Sequence, residues 1–242
     1  MEPTLMDLGL LSAMFLIFIG SFVQSAIGFG LAIVTAPLLF LISPDYVPAP
    51  IVIVGLFLSI INAYKHKANV SFRGLGYAFL GRIPGSVFGG LLLYYVDAKL
   101  LSLWIGVVVL LAVAISLLPF RIEPNNSRMT IAGFFSGLFG TSSGIGGPPM
   151  ALLLQHQEAN LIRANLSAFF VVSSFISLAV QVPAGYMSLN HLYLTLPLLP
   201  ASVVGYLVAM KVVDRIDKST IRKVSLVMCS ISGIAAIVLG MR

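Results

Sequence analysis

The stretch Gly140–Met150 reads Gly-Thr-Ser-Ser-Gly-Ile-Gly-Gly-Pro-Pro-Met and lies inside a long apolar run. Four glycines and two adjacent prolines deny it a regular helix, because they leave backbone groups without intrahelical partners that hydrocarbon cannot replace. At membrane depth such a break survives only where protein buries it or where it lines a wet cavity. Two readings follow. Either the small residues form a seam that lets helices approach closely, or the break presents backbone to a ligand. The chain makes a similar break earlier, at Gly28-Phe29-Gly30. It interrupts the run Leu8–Ile42, which as one helix would reach about 52 Å at ~1.5 Å per residue, against a hydrocarbon core of ~30 Å.

Composition makes the membrane the setting. Of 242 residues 59% are hydrophobic and 9% charged, where a soluble domain carries roughly 25% charged residues. The net charge of +6 comes from basic residues in short loops between apolar runs, so it reports topology and not a nucleic-acid partner. The acidic start, Met1 to Asp7, and the length of the first run predict no cleavable secretory signal. A single cysteine, Cys229, excludes disulfides and cysteine-based metal sites within one chain.

The predicted segments fall into two sets of four. The broken run Leu8–Ile42 precedes Tyr46–Tyr64, Gly74–Val96 and Leu100–Leu118, which ends at Pro119. After a polar hinge come the broken run Met129–Gln155, then Leu161–Val182, Leu189–Met210 and Ile221–Met241. The predicted organisation is an N-terminal repeat over 1–119, a hinge over 120–128 and a C-terminal repeat over 129–242. At an offset of 116 residues Gly28 and Gly30 fall on Gly144 and Gly146, Tyr77 and Leu80 on Tyr193 and Leu196. Pro84, Ser86, Val87, Gly89 and Leu91 fall on Pro200, Ser202, Val203, Gly205 and Leu207. Two separated motifs aligned by one offset point to internal duplication.

Loop charges choose the topology. If each broken run is a hairpin that returns to its own side, eleven of the thirteen loop and terminal Lys/Arg share one face, with Lys99 and Arg242 opposite. That is a positive-inside pattern, whereas a single crossing by each broken run splits the charges six to seven. The expected fold is an all-α polytopic membrane protein of two inverted-topology repeats, each a broken helical hairpin followed by three transmembrane helices. Both termini are then outside.

Inverted repeats with a broken element in each half are the pattern of secondary transporters. A half-helix starting after each bend turns free N–H groups and the positive end of its dipole inward, which attracts anions. Gln24 and Ser25 flank Gly28 and Gly30; Thr141, Ser142 and Ser143 flank Gly144, Gly146 and Gly147. These neutral donors suit a small oxyanion, although each hydroxyl has the alternative of bonding back to its own helix. The richer flank and the extra glycine make the second break the stronger expected contributor. Arg82 is the one charge well inside an apolar segment, either a substrate partner or a structural arginine capping carbonyls freed by Pro84. Asn62, Asn165 and Gln181 are weaker candidates, since amides often bridge membrane helices. His66, His156 and His191 sit at segment ends, which speaks against a metal site. No catalytic dyad, Walker loop or paired intramembrane carboxylate is present, so an enzyme, ATP hydrolysis included, is not expected.

Gly28-Phe29-Gly30, Gly144-Ile145-Gly146-Gly147-Pro148, the equal halves and the proline-bearing third segment of each half resemble the TauE/SafE family of anion transporters, of the sulfite-exporter or toluene-sulfonate-uptake-permease type. Leu31 stands where that pattern has a further glycine. The resemblance implies movement of sulfite, sulfonates or related small organic anions across the inner membrane of a prokaryote. No cofactor is expected, and a proton or sodium is the candidate coupling ion. The contrasting expectation is a membrane assembly protein whose Gly/Pro breaks serve packing alone.

Overall fold

A computed structural model describes residues 3–71, 74–117, 122–213, 215 and 218–241. Met1, Leu118, Pro119 and Arg242, named above, lie outside the described residues, as do the loop arginines Arg73 and Arg121 and the start of the hinge. The first half contains α1 (Pro3–Ile27), α2 (Leu31–Ile42), α3 (Ala49–Lys65), α4 (Leu75–Tyr95) and α5 (Ala98–Leu117). The second contains α6 (Asn126–Ser143), α7 (Gly147–Leu154), α8 (Ala159–Gln181), α9 (Leu189–Thr195), α10 (Leu198–Val212) and α11 (Lys218–Gly240). No strand occurs among the described residues, and the chain is all-helical. Leu8–Ile27, Pro44–Lys65, Ala98–Leu117 and Asn160–Gln181 are each long and apolar enough to cross a membrane. One predicted element is divided: Leu189–Met210 forms α9 and α10, bent by 43°. Pro197 sits at the bend, where its missing N–H and its ring disfavour a straight helix. Pro84, by contrast, lies inside the continuous α4.

Both breaks end a helix in the same way. Gly28 closes α1 at φ +97°, its N–H donating to the Gln24 carbonyl at 2.7 Å. Gly144 closes α6 at φ +79° and donates to the Gly140 carbonyl at 3.1 Å. This left-handed conformation is open to glycine at little cost, and it turns the chain sharply out of the helix. The prolines of α7 lie in its first turn, where an N–H has no intrahelical acceptor to lose. After each break the chain folds back. A methyl added at Gly9 would stand 3.7 Å from Ile42, and one at Gly20 would stand 2.9 Å from Leu31, so α2 runs antiparallel along α1. In the second half the Ser136 hydroxyl donates to the Gly146 carbonyl, and Met129 shares a buried cluster with Leu154.

The helices pack in pairs that the exchange of halves interchanges. α4 packs on α6 as α10 packs on α1, while α3 packs on α8 and α5 on α11. The α4–α6 seam is the closest. Gly81 and Gly85 face the carbonyls of Thr130 and Phe134, and Gly133 faces that of Ala78, so any Cβ there would collide with backbone. Such small-residue spacing is what lets helices meet without a hydrophobic driving force between them. Gly89 packs against α6, with Leu138 O 2.7 Å from a built Cβ, and its counterpart Gly205 packs against Phe18 of α1. Ser86 and Ser202 are both fully buried. Of the residues matched at the offset of 116, Gly89 and Gly205 meet helix backbone in both halves and Ser86 and Ser202 share full burial.

Candidate functional site

The two breaks and Arg82 come together around one cavity of about 60 Å³. From the first half Gln24, Gly30 and the first turn of α2 line it, with Ile51, Val52, Gly55 and Ser59 of α3. From the second half come Gly140, Gly144, Gly146, Gly147 and four residues of α8, Phe170, Ser173, Ser174 and Ser177. The volume suits a few waters or one small anion, since a water needs ~10–15 Å³ measured this way. The breaks touch: a Cβ on Gly147 would stand 3.3 Å from Cβ of Phe29.

Arg82 projects from α4 and is 3% exposed. Its Nη1 donates to the carbonyl of Ser136 and, at 2.8 Å, to the Ser136 hydroxyl. Its Nη2 donates to Ser173 O at 3.2 Å and to Ser177 Oγ at 2.7 Å. The guanidinium also lies over the Phe169 ring, 5.9 Å from its centre. The carbonyls it reaches belong to α6 and α8, so it bridges the halves and does not cap those freed by Pro84. Its Nε has no partner, and neither has the fully enclosed hydroxyl of Ser173 on the cavity wall. Buried donors left open in this way are rare in folded proteins, and at a cavity they mark where a ligand or water bonds.

The other residues singled out by sequence divide into two groups. Gln24 lines the cavity; its Oε1 accepts the Leu31 N–H at 3.3 Å and its Nε2 points to Ser59 Oγ at 3.5 Å. Thr141, Ser142 and Ser143 stand outside the lining. The Ser142 hydroxyl bonds the Leu138 carbonyl and accepts from Trp104 Nε1, and that of Ser143 bonds the Phe139 carbonyl. Thr141 Oγ1 pairs with Ser177 Oγ at 2.9 Å and so belongs to the network that holds Arg82. Gln181 supports the same network by donating to Thr141 O at 2.8 Å. Ser25 and Gly28 also lie outside the lining. Asn165 accepts from the Ser71 N–H, and Asn62 bonds back to Leu58 of its own helix.

Two sets of residues were missed in the sequence. Phe170, Ser173, Ser174 and Ser177 follow the spacing i, i+3, i+4, i+7 and hence share one face of α8; hydroxyls at that spacing inside an apolar run were the available signal. Arg163, counted among the loop cations, is buried in the first turns of α8 and donates from Nε and Nη2 to the Ala26 carbonyl at 3.2 and 2.9 Å. A cation at the last carbonyls of α1 complements the negative end of that helix. Each broken element is thus held by an arginine from the opposite half.

This geometry predicts unequal roles for the glycines. A methyl on Gly146 would stand 2.9 Å from both Arg82 Nη1 and the Ser136 carbonyl, displacing the guanidinium. Gly28→Ala is strained by its positive φ, but the new methyl faces Arg163 and Leu166. Gly146→Ala is expected to weaken anion binding about tenfold, while Gly28→Ala lowers the melting temperature and leaves the affinity of the folded fraction near wild type. Isothermal titration with parallel melting curves separates the two; equal affinity losses at both positions would show that Gly146 has no special place.

Comparison with curated proteins and with solved structures gave no match. A family model described as sulfite exporter TauE/SafE matches residues 13–236. The match takes in both glycine breaks, Arg82 and the serine face of α8, nearly the whole chain, and the protein belongs to the sulfite exporter TauE/SafE family.

Proposed function

We propose that this protein is a secondary transporter of small sulfur-containing anions such as sulfite, or of related organic anions, working by alternating access at the cavity between its halves. Membership in a family of anion transporters supports the class of cargo. The observation that carries the reading is the meeting of both breaks with one buried cation at a single cavity. The first turns of α2 and α7 bring positive dipole ends to it, and Gln24, Ser59 and Ser173 bring neutral donors. Such a site favours an oxyanion over a cation or a neutral solute. Purified protein should be stabilised against thermal unfolding by sulfite, thiosulfate or sulfoacetate and not by a neutral isostere, because a ligand that binds only the folded state raises apparent stability. A protein whose breaks served packing alone would show no such selectivity.

The membrane arrangement belongs to the same proposal: inverted halves in the inner membrane of a prokaryote, both termini outside. The fold-back of α2 along α1 and the exchange-related helix pairs support it. Single cysteines at Ser43, Asn125, Ala159 and Lys218, in a Cys229→Ala background, should give one externally labelled site, Ser43, and three internal ones. Labelling of Ser43 and Ala159 from the same side would refute the hairpin topology.

A further inference from the structure

Arg82 is 3% exposed, and every partner of its guanidinium is neutral: the carbonyls of Ser136 and Ser173 and the hydroxyls of Ser136 and Ser177. Among the described residues no carboxylate pairs with it. The chain has eight acidic residues, all in the terminus or the connections between apolar runs, and none lies within the apolar runs that build the cavity. An arginine keeps its charge in proteins and cannot lose its proton to escape the cost. While the cavity is open to water, hydration compensates the charge. To pass from one open state to the other the halves must close over the cavity and strip that water away. With an anion bound, cation and anion are buried as a pair; with the cavity empty, the cation is buried alone, and an uncompensated buried charge is strongly unfavourable.

Resting on the anion-transport reading of this cavity, we propose that the protein is an anion exchanger: the loaded carrier reorients readily, the empty one slowly, so export of one anion is tied to return of another. The returning anion need only be charged and fit the cavity of about 60 Å³. Exchange of this kind needs no carboxylate relay, and no such relay is present within the apolar segments.

The test uses wild-type protein in liposomes loaded with radiolabelled sulfite at mildly alkaline pH, without oxygen. Potassium and valinomycin on both sides prevent a membrane potential from limiting net flux. Efflux is followed into buffer holding either unlabelled sulfite or gluconate, and the flux of protein-free liposomes is subtracted. External sulfite should accelerate efflux about tenfold or more, equivalent to about 1.4 kcal/mol in the barrier of the return step. Equal efflux into both buffers, with saturable sulfite binding to the same preparation, would overturn exchange and leave the anion site standing. Absence of saturable sulfite binding to the folded protein would overturn both.

Discussion

Arg82→Gln should abolish saturable anion binding while the protein still folds. Among the described residues the guanidinium is the one cation on the cavity wall, and removing one partner of a buried ion pair typically costs ~3–5 kcal/mol, more than a hundredfold in affinity. The same substitution removes a charge that the unliganded protein must bury. The carbonyls of Ser136 and Ser173 lie within helices and keep their helical N–H partners, so the loss of Arg82's bonds to them is offset, and the melting temperature should change little. Arg82→Lys separates charge from geometry. An ammonium keeps the attraction but cannot span Ser136 on α6 and Ser177 on α8 with one planar fork, so affinity should fall by about tenfold and not vanish. Titration of each variant with sulfite, alongside a cooperative melting curve, decides the matter. Normal anion affinity in folded Arg82→Gln would make the residue a strut between α6 and α8 and take away the site's only cation.

Gly85→Ala and Gly133→Ala should each cost about 3 kcal/mol of stability, the largest effect expected from so small a change. A methyl at Gly85 would enter the space of the Phe134 carbonyl, and one at Gly133 that of the Ala78 carbonyl. Backbone cannot rotate away as a side chain can, so the helices must separate along the seam that Arg82 bridges. Anion affinity should fall with stability, because Ser136 would move away from the guanidinium. Gly76→Ala is the matched control. It lies on the same helix, a Cβ there meets nothing within 4 Å, and alanine is the better helix former. Unfolding in detergent should therefore show two losses and one neutral or slightly stabilising change. A wild-type melting curve for Gly85→Ala would contradict the close approach of α4 and α6.

Much of the framework was legible in the chain itself. Runs of apolar residues marked the helices because burying or facing lipid demands them, and Gly28 and Gly144 marked the bends because a positive φ strains any side chain. The offset of 116 residues identified counterparts that occupy matching places, such as Gly89 and Gly205. Arg82 stood out because an intramembrane charge is costly. These are local or periodic signals, each readable from its own neighbours.

What the chain could not disclose depends on which surfaces meet. Thr141, Ser142 and Ser143 were natural anion donors by position, yet none of them lines the cavity: their hydroxyls are taken up by Ser177 Oγ and by the carbonyls of Leu138 and Phe139. The wall is supplied in their place by the Phe170–Ser177 face of α8, which only the packing of α8 beside α3 and α4 brings there. Arg163 read as a loop cation because it is only the third residue of the predicted segment Leu161–Val182, and the sequence says nothing of the α1 carbonyls waiting opposite. The glycine seam between α4 and α6 has the same origin. Helix propensity counts each of its glycines as a cost, and only the partner backbone, lying within reach of a single methyl, makes them necessary.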